Sequence, residues 1–150
     1  MASAKKGKTA KKNSAAKKMD PVVHFEMPYE DRKRMAKFYG KAFGWDTNML
    51  GKDYGDYAVA MTSEAAKNGT PLKKGMINGG FFQKSKDKPA QYPSVVIAVD
   101  DIKRSMKKIE KAGGEVLGDP VEIPEMGLYV SFFDTEGNRS SLMQPFMKKL

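Results

Sequence analysis

DRKRMAKFYGKAFG at residues 31–44 returns seventy positions later as DIKRSMKKIEKAGG at residues 101–114. One unbroken offset pairs Asp31 with Asp101, Lys33 with Lys103, Arg34 with Arg104 and Lys37 with Lys107. It also pairs Lys41 with Lys111, Ala42 with Ala112 and Gly44 with Gly114, seven identities in fourteen positions. Each copy reads as an amphipathic helix: an aspartate near its start, apolar side chains at helical spacing, and glycine as its stop. In the first copy Met35, Phe38, Tyr39 and Phe43 mark the apolar stripe; in the second, Ile102, Met106 and Ile109 do so. A fixed offset over a whole helix is the signature of a duplicated unit.

The flanking segments extend the repeat. Pro21–Pro28 and Ser94–Val99 are short, apolar and rich in β-branched residues, as strands are. After the first helix, Trp45–Leu50, Tyr57–Met61 and Met76–Phe82 read as three more strands, with a loop over 63–75. After the second come Glu115–Leu117 with Val121–Ile123, then Gly127–Phe133, the turn Asp134–Asn138, and Ser140–Gln144. The order is βαβββ twice, with modules at about 21–85 and 92–147, which predicts an α+β fold of two tandem modules.

Charge and composition narrow the function. The chain has no cysteine, so disulfides, thiolate catalysis and thiolate-bound zinc are excluded. His24 is its one histidine, so no site can take two imidazoles from one chain. No apolar run approaches the roughly 18 residues of a membrane span, and the start lacks a signal-like apolar segment, so a cytoplasmic protein is expected. The net charge of +9 belongs mostly to residues 1–18, which hold seven lysines and no acid. Residues 1–20 read as a disordered Lys-rich tail, since they lack the apolar side chains that would offset the entropy of ordering. Residues 5–18 are a candidate contact for nucleic acid or another polyanion. A simple solvated extension is favoured, because no arginine or aromatic accompanies the lysines.

These segments resemble the vicinal-oxygen-chelate superfamily of glyoxalases, bleomycin-resistance proteins and extradiol dioxygenases. The resemblance rests on His24-Phe-Glu-Met-Pro with Phe38-Tyr39…Phe43-Gly44-Trp45, and on Val95–Asp101 with Gly127–Asn138. It implies a cupped mixed sheet whose concave face holds the ligand, completed in many single-domain members by a second subunit. In metal-dependent members, His or Glu donors from the first and last strand of each module hold a divalent ion. Those positions fall here at His24, at or beside Gly79, at Ser94 and at Ser141. Imidazole and carboxylate donors hold such ions, whereas hydroxyls do so poorly. No metal or other cofactor is therefore expected.

The resulting expectation is a small-molecule binder and homodimer whose candidate contacts are His24, Glu26, Trp45, Tyr57, Gly79, Ser94, Tyr129 and Ser141. His24 and Glu26, two apart on one strand face, are also candidates for a base and its orienting partner. The competing reading makes His24 a packed strand residue and Glu26 a solvated or paired one. Glu122, Glu125 and Gln144 are further polar groups at strand ends. If the chain is an enzyme, the resemblance implies a metal-dependent lyase or isomerase of the lactoylglutathione lyase kind, or a dioxygenase.

Overall fold

The computed structural model describes residues 17–146. Residues 5–16 of the candidate polyanion contact lie outside that range; Lys17 and Lys18 lie within it and are exposed. Lys18 pairs with Asp100.

The first module comprises β1 (Val22–Tyr29), α1 (Arg32–Phe43), β2 (Asp46–Met49), β3 (Ala58–Met61) and β4 (Gly79–Gln83). The second comprises β5 (Ser94–Ala98), α2 (Ile102–Lys111), β6 (Glu115–Ile123), β7 (Gly127–Phe133) and β8 (Arg139–Pro145). All eight strands form one mixed sheet in the order β2-β3-β4-β1-β5-β8-β7-β6. Within each module the first and last strands run parallel, β1 with β4 and β5 with β8. The modules join through the antiparallel pair β1–β5. The fold is the α+β double βαβββ arrangement that the repeat predicts.

Local chemistry sets the helix ends. Asp31 and Asp101 are N-caps in extended conformation, and their carboxylates accept from Arg34 N and Arg104 N at 2.9 and 3.0 Å. Such caps satisfy amide donors that the first turn leaves orphaned. The first helix therefore begins at Arg32, and Gly44 ends it at φ 71°, a conformation that favours glycine. β1 continues through Pro28 to Tyr29. Its last pair with β5 is Glu26 with Ser94, so the missing Pro28 amide breaks no ladder on that side.

β4 starts at Gly79 rather than Met76. The buried Asn78 side chain is the reason: its Oδ1 accepts from the amides of Thr62 and Ser63 at 2.8 and 3.1 Å. The backbone there is tied to a side chain instead of a neighbouring strand.

Each module has its own apolar cluster on the helix side of the sheet. Val99, Ile102, Val130, Phe132 and Leu142 form one, joined by Met106 and Ile109 of α2. Tyr29, Ala58, Ala60 and Phe81 form the other, joined by Phe25, Met35, Tyr39 and Trp45. The pair Phe25↔Val95 puts both clusters on one face, so both helices cover the same side. The apolar stripe of α1 is only half buried. Met35 and Tyr39 turn to the sheet, while Phe38 and Phe43 remain 57% and 63% exposed.

Candidate functional site

Side chains alternate across a strand, so Phe25, Met27 and Tyr29 on the helix side leave His24 and Glu26 on the other. Register carries this concave face across the sheet. Glu26 stands beside Gly80 and opposite Ser94, Val96 stands beside Ser141, and Ser131 opposite Ser141. Tyr129, Ser131, Arg139 and Ser141 thus share the face with His24 and Glu26.

The cluster has two hydrogen-bonded parts. His24 Nε2 lies 2.8 Å from Tyr57 Oη. Burial lowers the imidazole pKa to about 4 and raises that of the Tyr57 phenol, so both are neutral near pH 7. The second part runs from Tyr129 Oη to Ser141 Oγ at 2.7 Å and from Ser141 Oγ to Ser131 Oγ at 3.0 Å. Arg139 reaches Ser131 Oγ at 3.5 Å and the Pro89 carbonyl at 3.2 Å. Glu26 links the two parts. Burial raises its pKa, opposed by the Tyr129 hydroxyl and the charge of Arg139. Tyr129 is itself pushed up to about 12, by burial first and then by the Glu26 charge.

Two expected contacts lie elsewhere. Trp45 stacks on Tyr39 with ring centroids 4.8 Å apart and lies 5.7 Å from Phe25, inside the helix-side cluster. It follows the helix cap directly, so the turn at Gly44 carries its ring back under α1. Gly79 also faces the helix side, where a Cβ would meet the Phe25 ring at 2.5 Å. Gly80 holds the concave position on β4, with the Tyr57 ring over it: a Cβ there would stand 2.1 Å from that ring.

The remaining polar candidates have local roles. Gln144 Oε1 accepts from Ile102 N at 2.9 Å and so braces the start of α2. Glu122 lies exposed on β6, and Glu125 adopts φ 63° in the turn to β7. Ser131 and Arg139 are additions that sequence reasoning missed. Both stand two residues from a named site position, Tyr129 and Ser141, and strand period alone would have placed them on the same face.

Tyr57 is held from behind. The Tyr29 hydroxyl donates to the Asp56 carbonyl at 2.7 Å, and Arg32 donates to the carbonyls of Asp56 and Leu50 at 3.1 and 2.7 Å. These bonds anchor the turn that precedes Tyr57, whose Asp56 sits at φ 56°.

Of the positions where the resemblance implies metal donors, the structure puts His24, Ser94 and Ser141 on the concave face, with Gly80 instead of Gly79 beside them on β4. One imidazole, one residue without a side chain and two hydroxyls do not suit a divalent ion. The imidazole nitrogen facing Tyr57 is already engaged, and the Tyr57 ring fills the space over Gly80. Among the described residues no group of three or more His, Asp or Glu side chains is placed to hold a metal. The residues present do not fit the family's metal.

Cavities outside this cluster are shallow. One of about 540 Å³ lies between α1 and the ends of β1 and β4; another of about 450 Å³ lies between the start of β1 and residues 68–77.

A double βαβββ sheet with its polar cluster on the concave side defines a glyoxalase-fold protein. The chain belongs to the glyoxalase/bleomycin resistance protein/dioxygenase superfamily, whose family model matches residues 22–142. A glyoxylase-like domain-containing protein of Didymella fabae is 31% identical over 124 residues, 81% of this chain and 91% of that one. A protein of Arabidopsis thaliana named a probable chloroplastic lactoylglutathione lyase is 25% identical over 136 residues, 87% of this chain. The match spans only 38% of the length of that relative. Among solved structures, methylmalonyl-CoA epimerase of Streptomyces coelicolor superposes with a TM-score of 0.63 at 14% identity, covering 87% of this chain and all of that one. A hypothetical protein of Bacillus halodurans superposes with a TM-score of 0.62 at 12% identity, covering 89% of this chain and 99% of that one. Identity this low carries the fold alone. No helix of the described residues is long and apolar enough to cross a membrane.

Proposed function

We propose that this chain binds a small organic molecule on the concave face of its sheet without a metal ion. The carrying observation is the Tyr57 phenol that lies over Gly80 and engages His24. Glu26, Tyr129, Ser131, Ser141 and Arg139 offer hydrogen-bonding groups beside it. Pockets that bind small molecules combine apolar walls with a few convergent polar groups. Tyr57 and Tyr129 supply ring surface as well as hydroxyls, which suits a compact ligand with an aromatic or planar part. The second subunit of a homodimer would wall the open side of the cup.

The alternative is a metal-dependent lyase, isomerase or dioxygenase like the family's enzymes. The two separate by metal content. Chelated protein refilled with Zn²⁺, Ni²⁺, Mn²⁺ or Fe²⁺ is expected to keep its melting temperature and to hold no stoichiometric metal. A stoichiometric ion with a melting rise of several degrees would make the chain a metalloprotein and overturn the proposal. Small-molecule screening by melting shift, repeated on Tyr129→Phe and Arg139→Gln, then locates the ligand: hits on the concave face weaken in both variants.

A further inference from the structure

The near balance of charge beyond residue 18 conceals a strong asymmetry. α1 carries Arg32, Lys33, Arg34, Lys37 and Lys41 and no acid. α2 carries Lys103, Arg104, Lys107, Lys108 and Lys111 against Glu110 alone. Of the chain's eighteen acidic side chains, that glutamate is the one inside either of these helices. Other acids flank the helix starts, as at Glu30, Asp31, Asp100 and Asp101, or lie on strands and loops. Positive potential therefore concentrates along the later turns of both helices, which cover one face of the sheet.

These cations are available. Lys37, Lys41, Lys107 and Lys111 are exposed, and none has a side-chain partner among the described residues. Arg32 is committed to backbone carbonyls and Arg104 sits 3.9 Å from its own cap carboxylate. Within each helix the lysines stand four residues apart, about 6 Å along the axis, on one outward row.

On α1 the row is interleaved with an aromatic. Phe38 follows Arg34 by four and precedes Lys41 by three, so the three are surface neighbours, and Phe38 is 57% exposed. The cavity of about 540 Å³ opens beside it, lined by Met35, Tyr39 and Phe81. Its charged rim holds Glu30 and Asp31 as well as Arg34 and Lys84, and Lys84 pairs with Glu30 at 3.8 Å, so the phosphate contacts are assigned to the helix lysines and not to this rim. Proteins that hold unpaired bases combine cations that track the nucleic-acid backbone with an aromatic face on which a base stacks.

We infer that the helix-covered face is a binding surface for single-stranded nucleic acid, with lysines of α1 and α2 on phosphates and Phe38 stacking an unpaired base. An anionic membrane is the lesser fit. A helix that lies in a bilayer surface turns its apolar side to lipid. Here Met35, Tyr39, Ile102, Met106 and Ile109 all turn to the sheet. Phe38 and Phe43 of α1 are exposed, but α2 offers no exposed apolar side chain to continue a lipid-facing side.

The test is fluorescence anisotropy of a labelled twenty-nucleotide oligothymidylate with the full chain across a salt series. The Lys37, Lys41, Lys107 and Lys111→Gln variant is expected to bind at least about tenfold more weakly. Its log–log salt slope should be shallower by about 2 to 3, at roughly 0.7 for each phosphate that is no longer neutralised. Replacing the same four by arginine should retain binding. Phe38→Ala should weaken binding about fivefold or more while leaving the slope unchanged, the mark of a missing stacking platform. A full chain with Lys5, Lys6, Lys8, Lys11 and Lys12→Gln should still respond to the helix substitutions. Amide shifts of the parent chain on adding the oligonucleotide should map to α1 and α2. Unchanged binding by the folded helix variant would overturn the inference, as would shifts confined to residues before 19. Tighter binding to duplex DNA, or to phosphatidylserine/phosphatidylcholine vesicles, would overturn it as well.

Discussion

The Tyr57 ring lies over Gly80 with its hydroxyl 2.8 Å from His24 Nε2, so one residue without a side chain makes room for a phenol that engages the chain's one imidazole. This relationship explains why Gly80 is needed: any Cβ there would overlap the ring. Gly80→Ala is expected to displace Tyr57 and destabilise the fold by about 1–3 kcal/mol, the usual cost of overpacking. Tyr57→Phe should cost less, about 1 kcal/mol for one hydrogen bond. Urea denaturation measures both. Adding Tyr57→Ala to Gly80→Ala should recover the overpacking part, and failure to do so would remove the ring as its cause.

His24 offers a direct reading of this environment, because a single histidine gives a single imidazole signal. Its pKa is lowered to about 4 from the ordinary 6.5. Between those values the unfolded chain binds more protons than the folded one, so stability rises with pH there. The contribution is complete above about 6.5 and is lost as pH falls through about 4. It amounts to about 2–3 kcal/mol at most, at 1.36 kcal/mol per pH unit with a discount for partial exposure. Glu26, whose pKa is raised, acts in the opposite sense, as its carboxylate is costlier folded than unfolded. Proton NMR should show no His24 titration between pH 6 and 8. In His24→Gln the rise in stability from pH 4 to 6.5 should flatten; an unperturbed midpoint near 6.5 would refute the burial argument.

The parts of the fold set by local chemistry were legible in the sequence. Asp31, Asp101 and Gly44 mark helix ends because capping needs only neighbouring residues. Period-two alternation likewise assigns His24 and Glu26 to one face of β1. What escaped depends on longer-range relations. Whether Gly79 or Gly80 faces the cup is decided by where β4 begins, and Asn78 delays that start by binding residues sixteen and fifteen positions away. Trp45 reads as a ligand contact only if its direction is ignored; the chain reversal at Gly44 turns it under α1. Phe38 fits the helical stripe by spacing, yet only Met35 and Tyr39 of that stripe pack against the sheet cluster and Phe38 stays exposed.

Arg32 acts on the concave face without reaching it. Its guanidinium joins the carbonyls of Leu50 and Asp56, and with Tyr29 it holds the turn that delivers Tyr57. Arg32→Gln should loosen that turn and cost about 1–2 kcal/mol, since hydrogen bonds from a charged donor are the stronger kind. The specific readout is amide hydrogen exchange. Protection of Tyr54, Asp56 and Tyr57 should fall, while that of α2 and β7 stays. Equal loss across both modules would mean a general defect instead of a positioning role.

Asn78 closes the other long connection. Its Oδ1 accepts from Thr62 N and Ser63 N, with the Ser63 hydroxyl at 3.3 Å, while the Thr62 hydroxyl donates to the Ile77 carbonyl at 2.7 Å. Its own Nδ2 is buried with no partner among the described residues. The two atoms of one amide are thus treated unequally: the acceptor is saturated and the donor adds only desolvation cost. Asn78→Ala removes both and leaves two part-buried amides unsatisfied, so a loss of about 2–3 kcal/mol is expected. Asn78→Asp keeps the acceptor and removes the unpartnered donor, at the cost of burying a charge. At neutral pH it should be less stable than the parent, and it should recover as pH falls and the carboxyl takes up a proton. A thermal-melting series from pH 4 to 8 decides it: if Asn78→Asp and Asn78→Ala follow the same curve, the Oδ1 contacts do not hold the 62–78 connection.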